Sequence, residues 1–190
     1  YNYTKKLSEL LCGYLSIIPT YEIETKAMPV PAYVKNDNTL TYGPLILNEI
    51  LSNNKICYSV IGIDEKFKNY EEIAVPEKVN DIPIVSVSGN GFSNMNNIKT
   101  IYLPETISSL EGKPFSGCLA LENLYLLSAR PPLIANSLLS DANTSCKINV
   151  LSSAYREYRA GYTWSKYKSN LTSFEKESII IEINKLLTCL

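Results

Sequence analysis

Histidine is absent from the 190-residue sequence. That removes Ser-His-Asp and Cys-His nucleophilic catalysis, and the usual zinc sites. Long apolar runs are missing too. No stretch reaches the roughly 18 residues of a transmembrane helix, and the best candidate, Leu7 to Ile18, is broken by Glu9. Lys5 and Lys6 precede it, so a signal-peptide core or a lipoprotein cysteine at Cys12 comes to mind. Glu9 sits badly in either. The sequence opens at Tyr1, which leaves room for an upstream leader. There is no basic block: 18 basic and 19 acidic residues are interspersed, with a net charge of −1. Neither the electrostatic footprint of a nucleic-acid binder nor a polybasic membrane-surface segment is present.

The five cysteines (Cys12, Cys57, Cys118, Cys146 and Cys189) are odd in number and form no C-x-x-C unit. They read as buried thiols rather than a disulfide framework, with one long-range disulfide left open. Acidic pairs such as Glu71-Glu72 and Asp64-Glu65 have no EF-hand or glycosidase context and read as a solvated face. Gly89-Asn90-Gly91 lacks the Lys-Ser/Thr of a phosphate loop, and a turn explains it. No catalytic, metal or cofactor site is expected. Asn2-Tyr3-Thr4, Asn143-Thr144-Ser145 and Asn170-Leu171-Thr172 are glycosylation sequons, relevant only in a secreting eukaryote.

What is present is periodicity. Leu7, Leu10, Leu11, Tyr14 and Ile18 predict an amphipathic helix over 4–18 that covers an end of the core. Four prolines make 19–44 irregular. Residues 45–51 read as a strand or a short helix, Asn53-Asn54 as a turn, and 56–63 as a strand. Then an apolar pattern recurs: Tyr70-x-x-Ile73-x-Val75, Ile98-x-x-Ile101-x-Leu103 and Leu121-x-x-Leu124-x-Leu126. The second and third are related by an offset of 23 in sequence number (121 − 98). The same offset relates Phe92 to Phe115, Val87 to Leu110, Gly89 to Gly112, and Met95 to Cys118. The first lies 28 before the second, with 79–83 as a five-residue insertion.

This is the L-x-x-L-x-L pattern of leucine-rich repeats, and about 23 residues make one coil of a solenoid. Alternation points Ile101, Leu103, Leu124 and Leu126 inward. Adjacent coils should place their strands about 4.8 Å apart in a parallel sheet. Pro76 and Pro104 end their strands. Phe92 and Phe115 should stack in the core, and the ends need caps.

The run IKTIYLPETISSLEGKPFSGCLALENLYL (98 to 126) resembles the BspA-like, Treponema-type leucine-rich repeats. Ile101, Leu103, Pro104, Ile107, Leu110, Gly112, Phe115, Gly117, Cys118 and Leu121 match that repeat. Pro114 replaces its usual alanine, and Glu111 separates Leu110 from Gly112. Residues 58–92 resemble the family's entry coil. Ala129-Arg130-Pro131-Pro132, the 146–150 strand and the Tyr155 to Tyr167 aromatic stretch resemble its closing coil. The resemblance implies a secreted or surface-exposed module linked with adhesion and host-protein binding, and it carries over no catalytic residue.

The fold expected is α/β: a leucine-rich-repeat solenoid with a short parallel sheet, an N-terminal helical segment and a C-terminal helical cap. The divisions are 1–55 as capping segment, 56–174 as repeat domain and 175–190 as strand or tail. Thr100, Tyr102, Asn123 and Tyr125 face outward and are the candidate partner-binding residues, with Glu72 and Ala74 beside them. Exposed tyrosines supply large contact area at low entropy cost; the competing reading is a cross-strand pair that stabilises the sheet. Trp164 with Tyr155, Tyr158, Tyr162 and Tyr167 reads as a plug on the last coil rather than a sugar platform. The function expected is a non-catalytic extracellular or cell-surface binding module for a protein or glycan. The alternative is a spacer in a larger surface protein.

Overall fold

The computed structural model describes residues 38–134 and 138–188. The helix expected over 4–18 lies outside them, as do Cys12 and Cys189. The described chain opens with three strands, β1 (Thr39–Tyr42), β2 (Leu45–Ser52) and β3 (Lys55–Ile63). They form an antiparallel meander. Residues 45–51, left open between strand and helix, are therefore strand. Leu45 and Leu47 alternate into the core, and Asn53 and Asn54 both take the left-handed conformation (φ 50° and 60°) of a two-residue hairpin turn. The 55/56 division falls just inside β3, past that turn, so the described part of the expected capping segment is continuous with the β2–β3 hairpin.

From here the chain winds between two sheets. One is built from β4 (Glu72–Ala74), β7 (Thr100–Leu103), β9 (Asn123–Leu126), β11 (Lys147–Leu151) and β12 (Leu171–Phe174), all parallel. The other continues from β3 through β6 (Ile82–Val87), β8 (Ser109–Leu110) and β10 (Leu133–Ile134), also in parallel. In the five-stranded sheet Ile73, Ile101, Leu124, Ile148 and Leu171 stand in register. Their sequence numbers step by 28, 23, 24 and 23. The long first step is taken up by the hairpin of β5 (Lys78–Val79) and β6, turned by Asn80 and Asp81 at positive φ. That is where the five-residue insertion was expected.

Between the sheets runs one apolar core. Ile101, Leu103, Leu124 and Leu126 are buried within it as the alternation predicts. Phe92 and Phe115 stack there with centroids 5.9 Å apart and planes 20° from parallel. Cys57, Cys118 and Cys146 are free, buried thiols. Burial pushes Cys118 up to about 11 and Cys146 to about 12, so both stay protonated. Asn94, Gly117 and Asp141 share a second regularity. Each is left-handed (φ 62°, 79° and 60°) at the same point of successive circuits, and the Gly117 amide donates to the Asp141 carbonyl at 2.7 Å.

Tyr70 departs from the repeat. Where Ile98 and Leu121 are fully buried, Tyr70 is 43% exposed and meets Phe67 edge to face. Beyond β11 comes the helix α1 (Tyr155–Ala160), followed by Trp164 and then β12. Tyr158 and Trp164 are buried and pack edge to face at 4.9 Å. The Trp164 Nε1–H donates to the Pro132 carbonyl at 2.9 Å, and the Tyr158 hydroxyl bonds Ser128 Oγ at 2.8 Å. The aromatic group is thus core filling, except that Tyr162, expected on the same helical face, is 92% exposed. The chain turns away at Gly161 before a further helical turn could carry Tyr162 inward. The 175–190 stretch, expected as strand or tail, carries instead a helix, α2 (Ile180–Leu187). Its apolar residues recur at helical spacing, and the sheet supplies a face to bury them.

Candidate functional site

Parallel register fixes which side chains share the outer face of the five-stranded sheet. Glu72, Thr100, Asn123 and Lys147 form one cross-strand row. Ala74, Tyr102, Tyr125, Asn149 and Thr172 form the next. The four residues singled out from the sequence therefore stand together. Tyr102 and Tyr125 stack with centroids 4.8 Å apart and planes 18° from parallel. Phe174 meets Tyr125 edge to face at 5.2 Å.

Exposure is where the structure departs from expectation. Thr100 and Tyr102 are each only 7% exposed, while Asn123 and Tyr125 are half-buried. The cover over the tyrosines is α2. Ile183 packs on Ala74, Tyr102 and Leu127, and Ile179, Leu186 and Leu187 flank it alongside Tyr125 and Phe174. Alternation along a strand states which way a side chain points, not whether a distant segment lies over it. Burial pushes the Tyr102 hydroxyl up to about 12, helped by the nearby carboxylates of Glu72 and Glu182, and Tyr125 shifts the same way.

Beside the tyrosines lies a polar ladder of which sequence reasoning named Asn123 and missed Asn149 and Thr172. Thr172 Oγ1 donates to Asn149 Oδ1 at 2.5 Å, and Asn149 Nδ2 donates to Asn123 Oδ1 at 3.4 Å. The available signal was Ile148-Asn149-Val150, which repeats the in-out-in alternation of Leu124-Tyr125-Leu126 with asparagine outward. This side of the face is held in fixed geometry by its own hydrogen bonds: Asn149 Nδ2 also donates to the Lys147 carbonyl, so Asn149 is engaged within the face, and the partly exposed Asn123 carboxamide is the one with capacity for a further group.

Between α2 and the ends of β4 and β7 a cavity of about 270 Å³ remains, lined by Val75, Tyr102, Pro104, Ile180 and Asn184 among others. Lys78 and Lys176 stand at it, engaged with Asp81 at 2.8 Å and Glu105 at 3.3 Å. Among the described residues no group of His, Cys, Asp and Glu is disposed to hold a metal ion, and no helix is long and apolar enough to cross a membrane.

No family model matches the chain, and no curated protein matches it. Among solved structures it is similar to a leucine-rich repeat protein from Bacteroides capillosus. The two are 18% identical with a TM-score of 0.40, over 63% of this chain and 75% of that one.

Proposed function

We propose that this chain is a leucine-rich-repeat solenoid of the BspA-like type. In this reading it acts outside the cell as a non-catalytic binding module and offers the outer face of its five-stranded sheet to a protein or glycan. The observation that carries the proposal is the part of that face that stays partly exposed beside α2, where Tyr125 and Asn123 stand next to the carboxamide ladder. Aromatic area supplies contact energy, and fixed polar groups supply orientation. The shifted titratable groups on the face are tyrosines displaced by burial, a pattern that suits a contact surface rather than proton transfer.

The test is saturable binding of the labelled chain to a glycan panel and to cultured animal cells, compared with an Asn123→Ala/Tyr125→Ala variant whose melting curve is measured in parallel. Binding that the variant loses while remaining folded is expected. Saturable binding that the variant retains, or none by the parent chain, counts against the proposal. A spacer role is the second reading, and the seating of α2 over Tyr102 favours it, because the most apolar part of the face is then already satisfied. A chain that melts cooperatively and binds nothing on either surface fits that reading.

A further inference from the structure

Arginine is scarce in this chain, and the fold gathers all of it in one place. Arg130, Arg156 and Arg159 are the only arginines, and every other basic residue is a lysine. We propose that the C-terminal cap is a binding site for an anionic polysaccharide, in which the three guanidinium groups hold sulfate or carboxylate groups and Tyr162 stacks on a sugar ring. The choice of a polysaccharide rests on the extracellular reading above. The site uses none of the residues named on the outer face of the five-stranded sheet.

Two buried hydrogen bonds bring the arginines together. Ser128 Oγ is bonded to the Tyr158 hydroxyl at 2.8 Å, and the Trp164 Nε1–H donates to the Pro132 carbonyl at 2.9 Å. The loop between them, residues 129–131, is therefore pinned against α1 and the turn that follows it. Arg130 stands on that loop, exposed. Arg156 and Arg159 are exposed on α1, three residues apart and so neighbours on its surface. The near-neutral charge of the chain hides this local excess. Residues 129–132 and 155–168 hold five of the 18 basic residues and one of the 19 acidic ones, Glu157. Like charges gathered on one surface concentrate anions there.

The arginines do little for the fold. Lys68, Lys78, Lys99, Lys113 and Lys176 are engaged in ion pairs, but among the described residues no arginine is. Arg159 meets only Tyr155, at 3.4 Å from its hydroxyl and 5.8 Å from its ring centre. A guanidinium presents a planar fork that matches two oxygens of one sulfate or carboxylate, which an ammonium does not. Three residues beyond Arg159, Tyr162 is 92% exposed while Tyr158, Trp164 and Tyr167 are buried. A tyrosine ring left in water beside cations supplies contact area at low entropy cost. Duplex nucleic acid fits worse. It carries about one negative charge per 1.7 Å, and beyond the cap acidic residues outnumber basic ones. A polysaccharide with sparser acidic groups can be held by the cap alone.

The probe is a fluorescein-labelled heparin decasaccharide, and the protein is the full chain. Saturable polarisation is expected, weakening as salt is raised. Arg130→Ala/Arg156→Ala/Arg159→Ala should weaken binding by about tenfold, and Tyr162→Ala by several-fold. Lys78→Ala/Lys99→Ala, which removes two paired lysines elsewhere, should leave it unchanged. Each variant's melting curve is measured alongside. No saturable binding by the parent chain overturns the proposal, as does a folded triple-arginine variant that binds equally well. A short DNA duplex bound as tightly as heparin also overturns it, and so does heparin-competitive binding to phosphatidylserine vesicles. Desulfated heparin, which keeps its carboxylates, separates the two acidic groups: lost binding identifies sulfate, retained binding identifies carboxylate, and either supports the site. If the triple variant does not fold, phenylglyoxal modification of the parent chain decides. Protection of the three arginines by heparin supports the site, and equal modification with and without heparin overturns it. Failure here is separable from failure of the broader reading. Cell or glycan binding lost in Asn123→Ala/Tyr125→Ala, with no heparin binding, removes the cap site alone. Binding that this variant retains and the arginine variant loses removes the sheet face alone.

Discussion

Gly117 lies against Asn94 of the preceding circuit so closely that a Cβ on Gly117 would come within 2.5 Å of the Asn94 Oδ1 atom, and within 3.2 Å of its backbone. Gly117 also has φ of 79°, which L side chains rarely adopt. Gly117→Ala therefore meets strain and collision together. The expected loss is about 1–3 kcal/mol of stability, read as a lower urea midpoint at unchanged slope. Asn94→Gly, at the equivalent left-handed position, should change stability by less than about 1 kcal/mol. Equal losses at the two sites would mean that the circuit contact, not the backbone conformation, sets the cost.

Phe92 and Phe115 stack at full burial on adjacent circuits. Phe115→Ala should cost about 3–5 kcal/mol, and Phe115→Leu distinctly less, because truncation opens a cavity inside a packed column. Denaturant unfolding of both variants measures the difference. A Phe115→Ala loss under about 1 kcal/mol would show that the core collapses around the gap.

Trp164 is the sequence's single tryptophan, buried with its indole N–H on the Pro132 carbonyl. Its emission should be blue-shifted in the native chain and move red in the same transition as the far-UV signal. Trp164→Phe strands the Pro132 carbonyl and should cost about 1–3 kcal/mol. An emission change preceding loss of strand signal would show that the cap opens as a separate unit.

Alkaline pH should destabilise the fold. Cys118 and Cys146 ionise near 9 in an unfolded chain but are held at about 11 and about 12 by burial, and Tyr102 moves from 10 to about 12 for the same first reason. Below pH 9 both states keep these protons, and the full stability is present. As pH rises past 9 the unfolded chain ionises first, so unfolding releases protons and each increment of pH favours it. The urea midpoint should be flat up to about pH 9 and then fall, by on the order of a few kcal/mol in stability by pH 11. A flat profile to pH 11 would show that these groups reach water in the native state. Thiol reagents should react with Cys118 and Cys146 only as the chain unfolds.

Legibility in the sequence tracked how local the cause is. The rungs at Ile101 and Leu124, the Phe92–Phe115 and Tyr102–Tyr125 stacks and the hairpin insertion all follow from one offset, because register turns equal spacing into contact. The rungs at Ile148 and Leu171 were harder. Ser145 and Lys168 stand where Ile98 and Leu121 open the pattern, so the apolar signature lapses although the parallel pairing continues. Strands as short as Ser109–Leu110 and Leu133–Ile134 carry too little pattern to read. The cover on Tyr102 comes from Ile183 and its neighbours on α2, at the far end of the chain. The helical spacing of Ile179, Ile183 and Leu186 went unread, with 175–190 expected as strand or tail, and nothing local connects it to the tyrosines.

The β5–β6 hairpin makes the step from Ile73 to Ile101 longer than the step from Ile101 to Leu124, yet all three stay in register. Circumference and register are thus independent variables in this architecture. Of the extra residues Asn80 and Asp81 turn outward while Val79 folds into the core, and the ladder keeps its register, since closing a slightly longer loop adds little entropic cost. Descendants of such a chain could diversify the display on their outer turns, circuit by circuit, without renegotiating the frame that holds them.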